Sequence, residues 1–226
     1  PTGGVEATGG AAPTGGVEAT GGAAPTGGTA GGGVIEVLDG YSSDPAHGVQ
    51  GPWYNYHDPL GTVTEPECDE GEGGSCYDDV SGTEVCLTGS ALMIPCDGDV
   101  CDYDNYWGGA LALNLNQGAE EDAPELAWDA TAYQGIEFVV DNPWGTGLRV
   151  MLKVLGDDTT NYCFDVTESG VYTLRWQQFR EDCWYSGTDP IPTTALSNLR
   201  AIAWQIAPST IEDIDFNFCV SDLRIF

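Results

Sequence analysis

The chain has 226 residues and carries 36 acidic side chains against 6 basic ones, giving a formal net charge of −30. A surface this negative repels phosphate backbones and anionic lipids, which argues against nucleic acid and membrane surfaces as partners. No apolar run reaches the 18 or so residues that a membrane span requires. The charge suits divalent cations, high salt or solubility outside a cell, and the plainest alternative is a solvated surface without a specific partner.

The chain opens with a repeat. Residues 1–12 read PTGGVEATGGAA, residues 13–24 repeat them unchanged, and residues 25–33 are a degenerate third copy. The segment contains no Phe, Trp, Tyr, Leu or Ile, so it cannot build a core. It is either a flexible tether or, because frequent glycines let chains approach closely, a tail through which identical subunits assemble. Its threonines fit the composition of O-glycosylated stalks: Thr2, Thr8, Thr14, Thr20, Thr26 and Thr29.

The remaining residues, 34–226, contain every aromatic side chain and are predicted to fold as one sizeable β domain, with two small domains as the alternative. Residues 106–116 read YWGGALALNLN, and their period of two places Leu111, Leu113 and Leu115 on one buried side of a strand. A first strand is expected before the Asp39-Gly40 turn. Further strands are predicted at 134–141, 147–155, 161–166, 171–179, 199–206 and 214–226. The pattern is typical of an antiparallel β-sandwich, without a convincing helix.

The eight cysteines are even in number, which favours disulfides and an oxidising, extracellular compartment. Zinc is the rival interpretation, but there is no CxxC, and both histidines precede all the cysteines. Cys163 and Cys183 flank consecutive predicted strands and are paired first, and Cys68 with Cys76 would close a short loop. The others are left to pair among themselves: Cys86, Cys96, Cys101 and Cys219. A long acidic loop, 65–104, is either pinned by disulfides or holds a short strand near 84–87.

The order of the segments VIEVLDG, PWYNYHD, WGGALALNLN, LRVMLKV, LRAIAWQI and FNFCVSDLRIF resembles the galactose-binding-like jelly rolls of secreted bacterial proteins, relatives of carbohydrate-binding modules. The resemblance covers residues 34–226 and implies a jelly-roll sandwich. It also implies a structural Ca²⁺ between the turn after the first strand and the last strand, held by Glu36, Asp39 and Asp222. Asp222 stands in SDLRIF, where relatives tend to read DDV, so this chain has one carboxylate fewer there.

Glycan binding needs exposed aromatic faces beside amides and charges. Aromatic candidates are expected in or beside loops, with packing of the loop itself as the alternative: Trp53, Tyr54, Tyr56, Trp107, Trp144 and Trp184. Polar candidates are expected on outward strand faces: Asn114, Arg149, Lys153, Arg175 and Gln177. Of these, Arg149, Lys153 and Arg175 are expected to gather half of the basic charge on one face.

No motif for nucleophilic, metallopeptidase or nucleotide chemistry occurs, so catalysis is not expected. The favoured function is an extracellular structural subunit that forms a surface layer or filament with itself through residues 1–33. The alternative is a carbohydrate-binding module on a flexible stalk. The two differ in their dependence on the tail, since only the assembling subunit would need it.

Overall fold

Antiparallel pairing organises the chain in this computed structural model. The structure describes residues 33–60, 62–66, 77–98, 100–120, 123–181, 183 and 189–226, with the backbone alone at 63 and 158. Their strands form two large sheets and a small hairpin, in which every neighbouring pair is antiparallel.

The larger sheet has eight strands. Its first two strands are joined by a two-residue turn, in which Asp39 and Gly40 have φ of 50° and 71°. Positive φ at both positions matches the twist of a tight hairpin, and Asp-Gly tolerates it. From edge to edge the strands are β1 (Val37–Leu38), β2 (Tyr41–Asp44), β3 (Val49–His57), β8 (Gly109–Asn114), β14 (Leu199–Ile206), β10 (Leu148–Val154), β11 (Asp157–Val166) and β13 (Arg180–Glu181).

The smaller sheet has five strands, and its longest strand closes the chain. In order they are β12 (Gly170–Arg175), β9 (Gly135–Asp141), β15 (Ile214–Ile225), β5 (Glu84–Ala91) and β4 (Val63–Glu65). A hairpin of β6 (Cys96–Asp97) and β7 (Val100–Cys101) stands apart from both sheets. A one-turn helix, α1 (Thr193–Leu196), precedes β14. No helix among the described residues is long and apolar enough to cross a membrane.

The core lies between the two sheets and is rich in aromatic rings. Trp204 of β14 stacks on Trp53 of β3, with ring centroids 5.7 Å apart, and meets Phe138 of β9 edge to face at 5.6 Å. Leu111 and Leu113 of β8 are fully buried beside them. Burial of each such side chain contributes about 1.5–3 kcal/mol, so the inward residues of the alternating strands hold the sandwich together.

The prediction of an antiparallel jelly-roll sandwich is confirmed. The strand predicted at 199–206 has the bounds of β14, and that at 134–141 begins one residue before β9. The strand predicted at 171–179 is too long, because β12 ends at Arg175 and a 3-10 turn follows, Trp176–Gln178. The short strand expected near 84–87 is the start of β5, which extends to Ala91 because it pairs along β15.

The expectation that Trp53, Tyr54 and Tyr56 lie in or beside a loop is wrong. All three belong to β3, the nine-residue strand that pairs with β8. Gly51 and Pro52 interrupt the apolar alternation and hide the strand from a pattern search. Gly51 is needed there because the carbonyl oxygen of Asn114 fills the space in which a Cβ would stand.

Disulfides predicted from the cysteine count are present. One joins Cys86 of β5 to Cys219, directly opposite on β15. A second joins the facing ends of the β6–β7 hairpin, and the third joins Cys163 to Cys183, the pair placed first on sequence grounds. Cys68 and Cys76 lie outside the described residues.

Candidate functional site

The larger sheet presents a second face, away from the core, and we call it the outward face. Antiparallel register fixes which side chains share it, because residues directly opposite on neighbouring strands point to the same side. Three rows of side chains cross it: Tyr54, Ala112, Ala203, Met151 and Cys163; Tyr56, Ala110, Gln205, Arg149 and Asp165; and Asn114, Ala201, Lys153 and Asn161.

Alanines form the floor of the outward face. Ala110 and Ala112 come from β8, and Ala201 and Ala203 from β14, so four small side chains occupy its two central strands. Larger side chains rise on the flanking strands. Tyr54 and Tyr56 stand on one side, while Met151 and the Cys163–Cys183 bridge stand on the other, and these groups pack together over the floor. We call this arrangement the trough, and its apolar alanine base is fully buried beneath the larger side chains.

Aromatic rings line one side of this trough. The rings of Tyr54 and Tyr56 lie 6.0 Å apart, and that of Trp107 lies 5.5 Å from Tyr56. Lys153 reaches over from β10 and places its Nζ 5.8 Å from the centre of the Tyr56 ring. The side chains of Tyr54, Tyr56 and Trp107 are half-buried, so parts of three adjoining rings reach the surface.

Three buried oxygen atoms on the outward face have no hydrogen-bond partner among the described residues: Tyr56 Oη, Asn114 Oδ1 and Gln205 Oε1. Both amides are fixed through their nitrogens. Gln205 Nε2 donates to the Trp107 carbonyl at 2.9 Å, and Asn114 Nδ2 donates to Glu125 Oε1 at 3.1 Å. Leaving a buried polar group without a partner costs about 1–3 kcal/mol, so these three atoms make the outward face the candidate site.

The tyrosine hydroxyls on this face stay protonated at neutral pH. Burial raises the pKa of both Tyr54 and Tyr56, and nearby Glu125 raises that of Tyr54 further. Arg200 opposes the shift in both cases, which places its positive charge near the two rings. Each hydroxyl can therefore both donate and accept a hydrogen bond.

Basic side chains occupy the side of the trough opposite the tyrosines. Arg149 Nε lies 3.5 Å from Asp165 Oδ1, and the pKa of Arg149 is lowered because burial disfavours its charge. Lys153 Nζ donates to Asn161 Oδ1 at 2.7 Å. Their positions follow from β10, in which Leu148, Val150 and Leu152 point into the core and the residues between them point outward.

A cavity of about 600 Å³ adjoins the end of the trough. Trp107 and Arg149 belong to both, so the cavity continues the surface formed by Tyr56 and Gln205. Its volume lies within the range of small-ligand pockets. Its other lining residues come from the loops beyond β7 and β14 and from Ile94: Ile94, Tyr103, Asp104, Tyr106, Ala207 and Pro208.

The structure brings together six of the eleven predicted glycan-binding residues: Tyr54, Tyr56, Trp107, Asn114, Arg149 and Lys153. Trp53 is a correction, because its ring is 2% exposed and lies in the core. Trp144 lies in the turn after β9 and is 58% exposed. Trp184 and the six tail threonines lie outside the described residues.

The expectation that Arg175 shares a face with Arg149 and Lys153 is also wrong. Arg175 ends β12 in the smaller sheet and donates to Gln134 there, and Gln177 lies in the 3-10 turn that follows. Strand alternation gave the correct side of each strand but not the sheet to which the strand belongs. The alanine floor was also missed. Its signal in the sequence is the alanines of ALALN and RAIAWQ, which stand at strand positions where an exposed face would carry polar residues.

The predicted calcium ligands do not cluster in the described chain. Its one group of three potential ligand side chains within 4.8 Å of one another is Glu84, Cys86 and Cys219, and both cysteines are in the disulfide. Glu36 and Asp39 are exposed. The segment just before β1 does adjoin β15, because Ile35 N donates to the Leu223 carbonyl. The calcium site stays a prediction.

No family model matches the chain, and no curated protein matches it. Among solved structures, it is similar to a family 11 carbohydrate-binding module from Clostridium thermocellum in complex with a β-1,3-1,4-mixed-linked tetrasaccharide, with 14% identity over 86% of this chain and 95% of that one and a TM-score of 0.46. The family 11 module of the cellulosomal cellulase Lic26A-Cel5E of the same organism gives 14% identity, 85% and 95% coverage and a TM-score of 0.45. An exo-β-agarase gives 10% identity, 85% and 25% coverage and a TM-score of 0.40. The fold assignment rests on the strand pairing of this chain itself.

Proposed function

We propose that the chain is a non-catalytic, extracellular carbohydrate-binding module that holds a polysaccharide on its outward face. The observation that carries the proposal is the set of three buried oxygens without partners, Tyr56 Oη, Asn114 Oδ1 and Gln205 Oε1, beside three adjoining aromatic rings. Sugars offer hydroxyls for such oxygens and C–H faces for such rings. The three disulfides of the described part of the chain support an oxidising compartment.

Binding on this face requires some rearrangement. The three oxygens are hidden from solvent, and Lys153 lies over the Tyr56 ring. A sugar ring reaches them once the Lys153 side chain swings away, which needs only rotamer changes in a long side chain. The sugar then stacks on Tyr56 and Trp107, and its hydroxyls bond to the amide oxygens of Asn114 and Gln205. The alanine floor leaves the depth that this movement needs.

The assembling-subunit hypothesis rests on residues 1–33, of which only Gly33 is described. No contact of the described residues favours it, whereas the oxygens and rings of the outward face favour binding. A variant lacking residues 1–33 separates the two. The binding module keeps its affinity for polysaccharide without the tail and is dispersed in solution with or without it.

The test is affinity electrophoresis of the full chain through gels containing soluble polysaccharides, neutral and anionic, followed by titration calorimetry on those that retard it. Trp107→Ala removes a ring that contacts Tyr56, and we expect it to weaken binding about 10-fold through lost stacking and packing. Trp144→Ala is the matched control, because it removes an exposed tryptophan that lies off the outward face. The proposal is contradicted if none of the polysaccharides retards the chain, or if Trp107→Ala and Trp144→Ala lose the same amount of affinity.

A further inference from the structure

The scarce basic charge of this chain is concentrated on the outward face. Only six residues are Lys or Arg in a chain with net charge −30. Arg149 and Lys153 lie on β10, and Arg180 lies opposite Cys163 at the sheet edge, so all three point outward by register. Two basic residues lie off this face, because Arg175 and Arg224 belong to the smaller sheet.

Arg200 is the fourth basic residue of the face, and a bulge puts it there. Lys153 pairs with Ala201 and Val154 pairs with Leu199, which leaves Arg200 as the extra residue of β14. Leu199 and Ile202 are both fully buried, so the side chains between them turn outward. Arg200 Nη1 lies 3.6 Å from Glu125 Oε2, and its charge acts on both tyrosine hydroxyls.

Acidic side chains are few on this face among the described residues. Asp165 is the one acidic residue in the three outward rows, and Glu125 borders them. Among the described residues, four basic side chains lie on this face, and the acidic ones on or beside it are Asp165, Glu125 and Asp104, which lines the adjoining cavity. The Asp165 side chain is 74% exposed, and that of Arg149 is 15% exposed. An exposed partner contributes little to an ion pair, so a ligand anion can compete with it for the buried guanidinium.

We infer that the polysaccharide is anionic, with a carboxylate or sulfate group bound by Arg149, Lys153 and Arg200. The inference rests on the proposed function and names its ligand class. Guanidinium groups match planar carboxylates and sulfate oxygens with paired hydrogen bonds, and the partly buried setting strengthens the attraction. A neutral glycan would use the rings and amide oxygens but would form no charge-assisted pair with the cations. The distant acidic residues do not oppose binding at 0.15 M salt, where charges are screened beyond about 8 Å.

The experiment measures dissociation constants of the full chain, at 0.15 M salt, for polygalacturonate, chondroitin sulfate and a neutral mixed-linkage β-glucan of similar length. We expect at least one anionic glycan to bind about 10-fold more tightly than the neutral one, from one charge-assisted contact. Lys153→Gln should weaken that binding about 10-fold, because it removes a cation that pairs with the anionic group. Arg175→Gln removes the same charge from the smaller sheet and should leave both the anionic and the neutral affinity within about twofold.

The outcomes separate the inference from the function on which it rests. Preference for polygalacturonate identifies a carboxylate and preference for chondroitin sulfate a sulfate, and either supports the inference. Equal or tighter binding of the neutral glucan overturns it and leaves the proposed function standing. Binding of poly-glutamate but of no glycan overturns both in favour of an acidic peptide. Equal effects of Lys153→Gln and Arg175→Gln also overturn it, because nonspecific charge would then suffice.

Discussion

Lys153 Nζ lies 5.8 Å from the centre of the Tyr56 ring, although the two residues stand on strands separated by two others. The contact spans the alanine floor, because the four alanines of β8 and β14 leave room for the Lys153 side chain to cross both strands. The same ammonium group donates to Asn161 at 2.7 Å. Lys153 thus covers the ring and hydroxyl that the proposed ligand needs, and its displacement accompanies binding.

Removing the Tyr56 hydroxyl should improve stability and impair binding. The Tyr56 Oη atom is buried without a partner among the described residues, so Tyr56→Phe relieves a desolvation cost of about 1 kcal/mol. The same change removes a hydrogen-bonding group from the proposed site. We expect a higher urea midpoint together with a severalfold weaker polysaccharide affinity, measured by denaturation and calorimetry.

Tyr172→Phe is the matched control for that variant. Tyr172 lies in the smaller sheet, and its hydroxyl donates to the Glu168 carbonyl at 2.7 Å. Loss of this exposed bond should cost stability up to about 1 kcal/mol and leave binding unchanged. If Tyr56→Phe lowers stability as Tyr172→Phe does, the Tyr56 hydroxyl has a structural partner and the argument from unpartnered oxygens fails.

Trp53 should behave as a core residue. Its ring stacks on Trp204, and its Nε1 donates to the buried hydroxyl of Ser42 at 2.8 Å. Trp53→Phe leaves Ser42 without this donor and opens space in the core, so we expect a loss of about 2–3 kcal/mol in the free energy of unfolding. Polysaccharide affinity of the folded fraction should not change. If the variant has normal stability but impaired binding, Trp53 contributes to the binding surface and its assignment to the core is wrong.

Disulfide removal should rank by the length of the closed loop. The separations are 133 residues for Cys86–Cys219, 20 for Cys163–Cys183 and 5 for Cys96–Cys101. The chain-entropy estimate gives about 5, 3 and 2 kcal/mol for these loops. Paired Cys→Ala variants, compared by urea denaturation, test the order. Loss of the Cys163–Cys183 bridge should also weaken polysaccharide binding, since it packs beside Met151 in the trough.

Alkaline pH should destabilise the fold. Burial raises the pKa of Tyr54, Tyr56 and Tyr77 in the folded state, whereas the unfolded chain releases these protons near pH 10. Above pH 10 the unfolded state binds fewer protons than the folded one, so stability present below pH 10 is lost as the pH rises. Absorbance at 295 nm should show these three of the ten tyrosines ionising only with unfolding. Ionisation of all ten in a folded protein would contradict their burial.

Much of the sandwich could be predicted because period-two alternation is local. Residues 202–206 and 214–220 alternate without interruption, and they lie within β14 and β15. β3 could not be found in this way, because Gly51 breaks its alternation. That glycine is required by the backbone of Asn114, which is distant in sequence and leaves no room for a Cβ. Likewise, the separation of Arg175 from Arg149 depends on strand order, which alternation within one strand does not contain.

The site was only partly predictable for the same reason. Tyr56, Asn114 and Arg149 could be recognised as outward or aromatic candidates one strand at a time. Their meeting on one face, and the oxygens left without partners there, follow from pairing across β3, β8, β14 and β10. The bulge that turns Arg200 outward arises from a register shift, which has no local sequence signature.

The most direct test of the central claim is amide chemical-shift mapping by NMR of the full chain, titrated with oligosaccharides cut from the neutral and anionic polysaccharides tested. The account predicts that the largest shifts fall on Tyr56, Ala112, Gln205 and Met151 of the outward face, while β5, β9, β12 and β15 of the smaller sheet stay unchanged. Shifts confined to the smaller sheet or to residues 1–33, or no shifts with any oligosaccharide, would contradict the claim that this face binds polysaccharide.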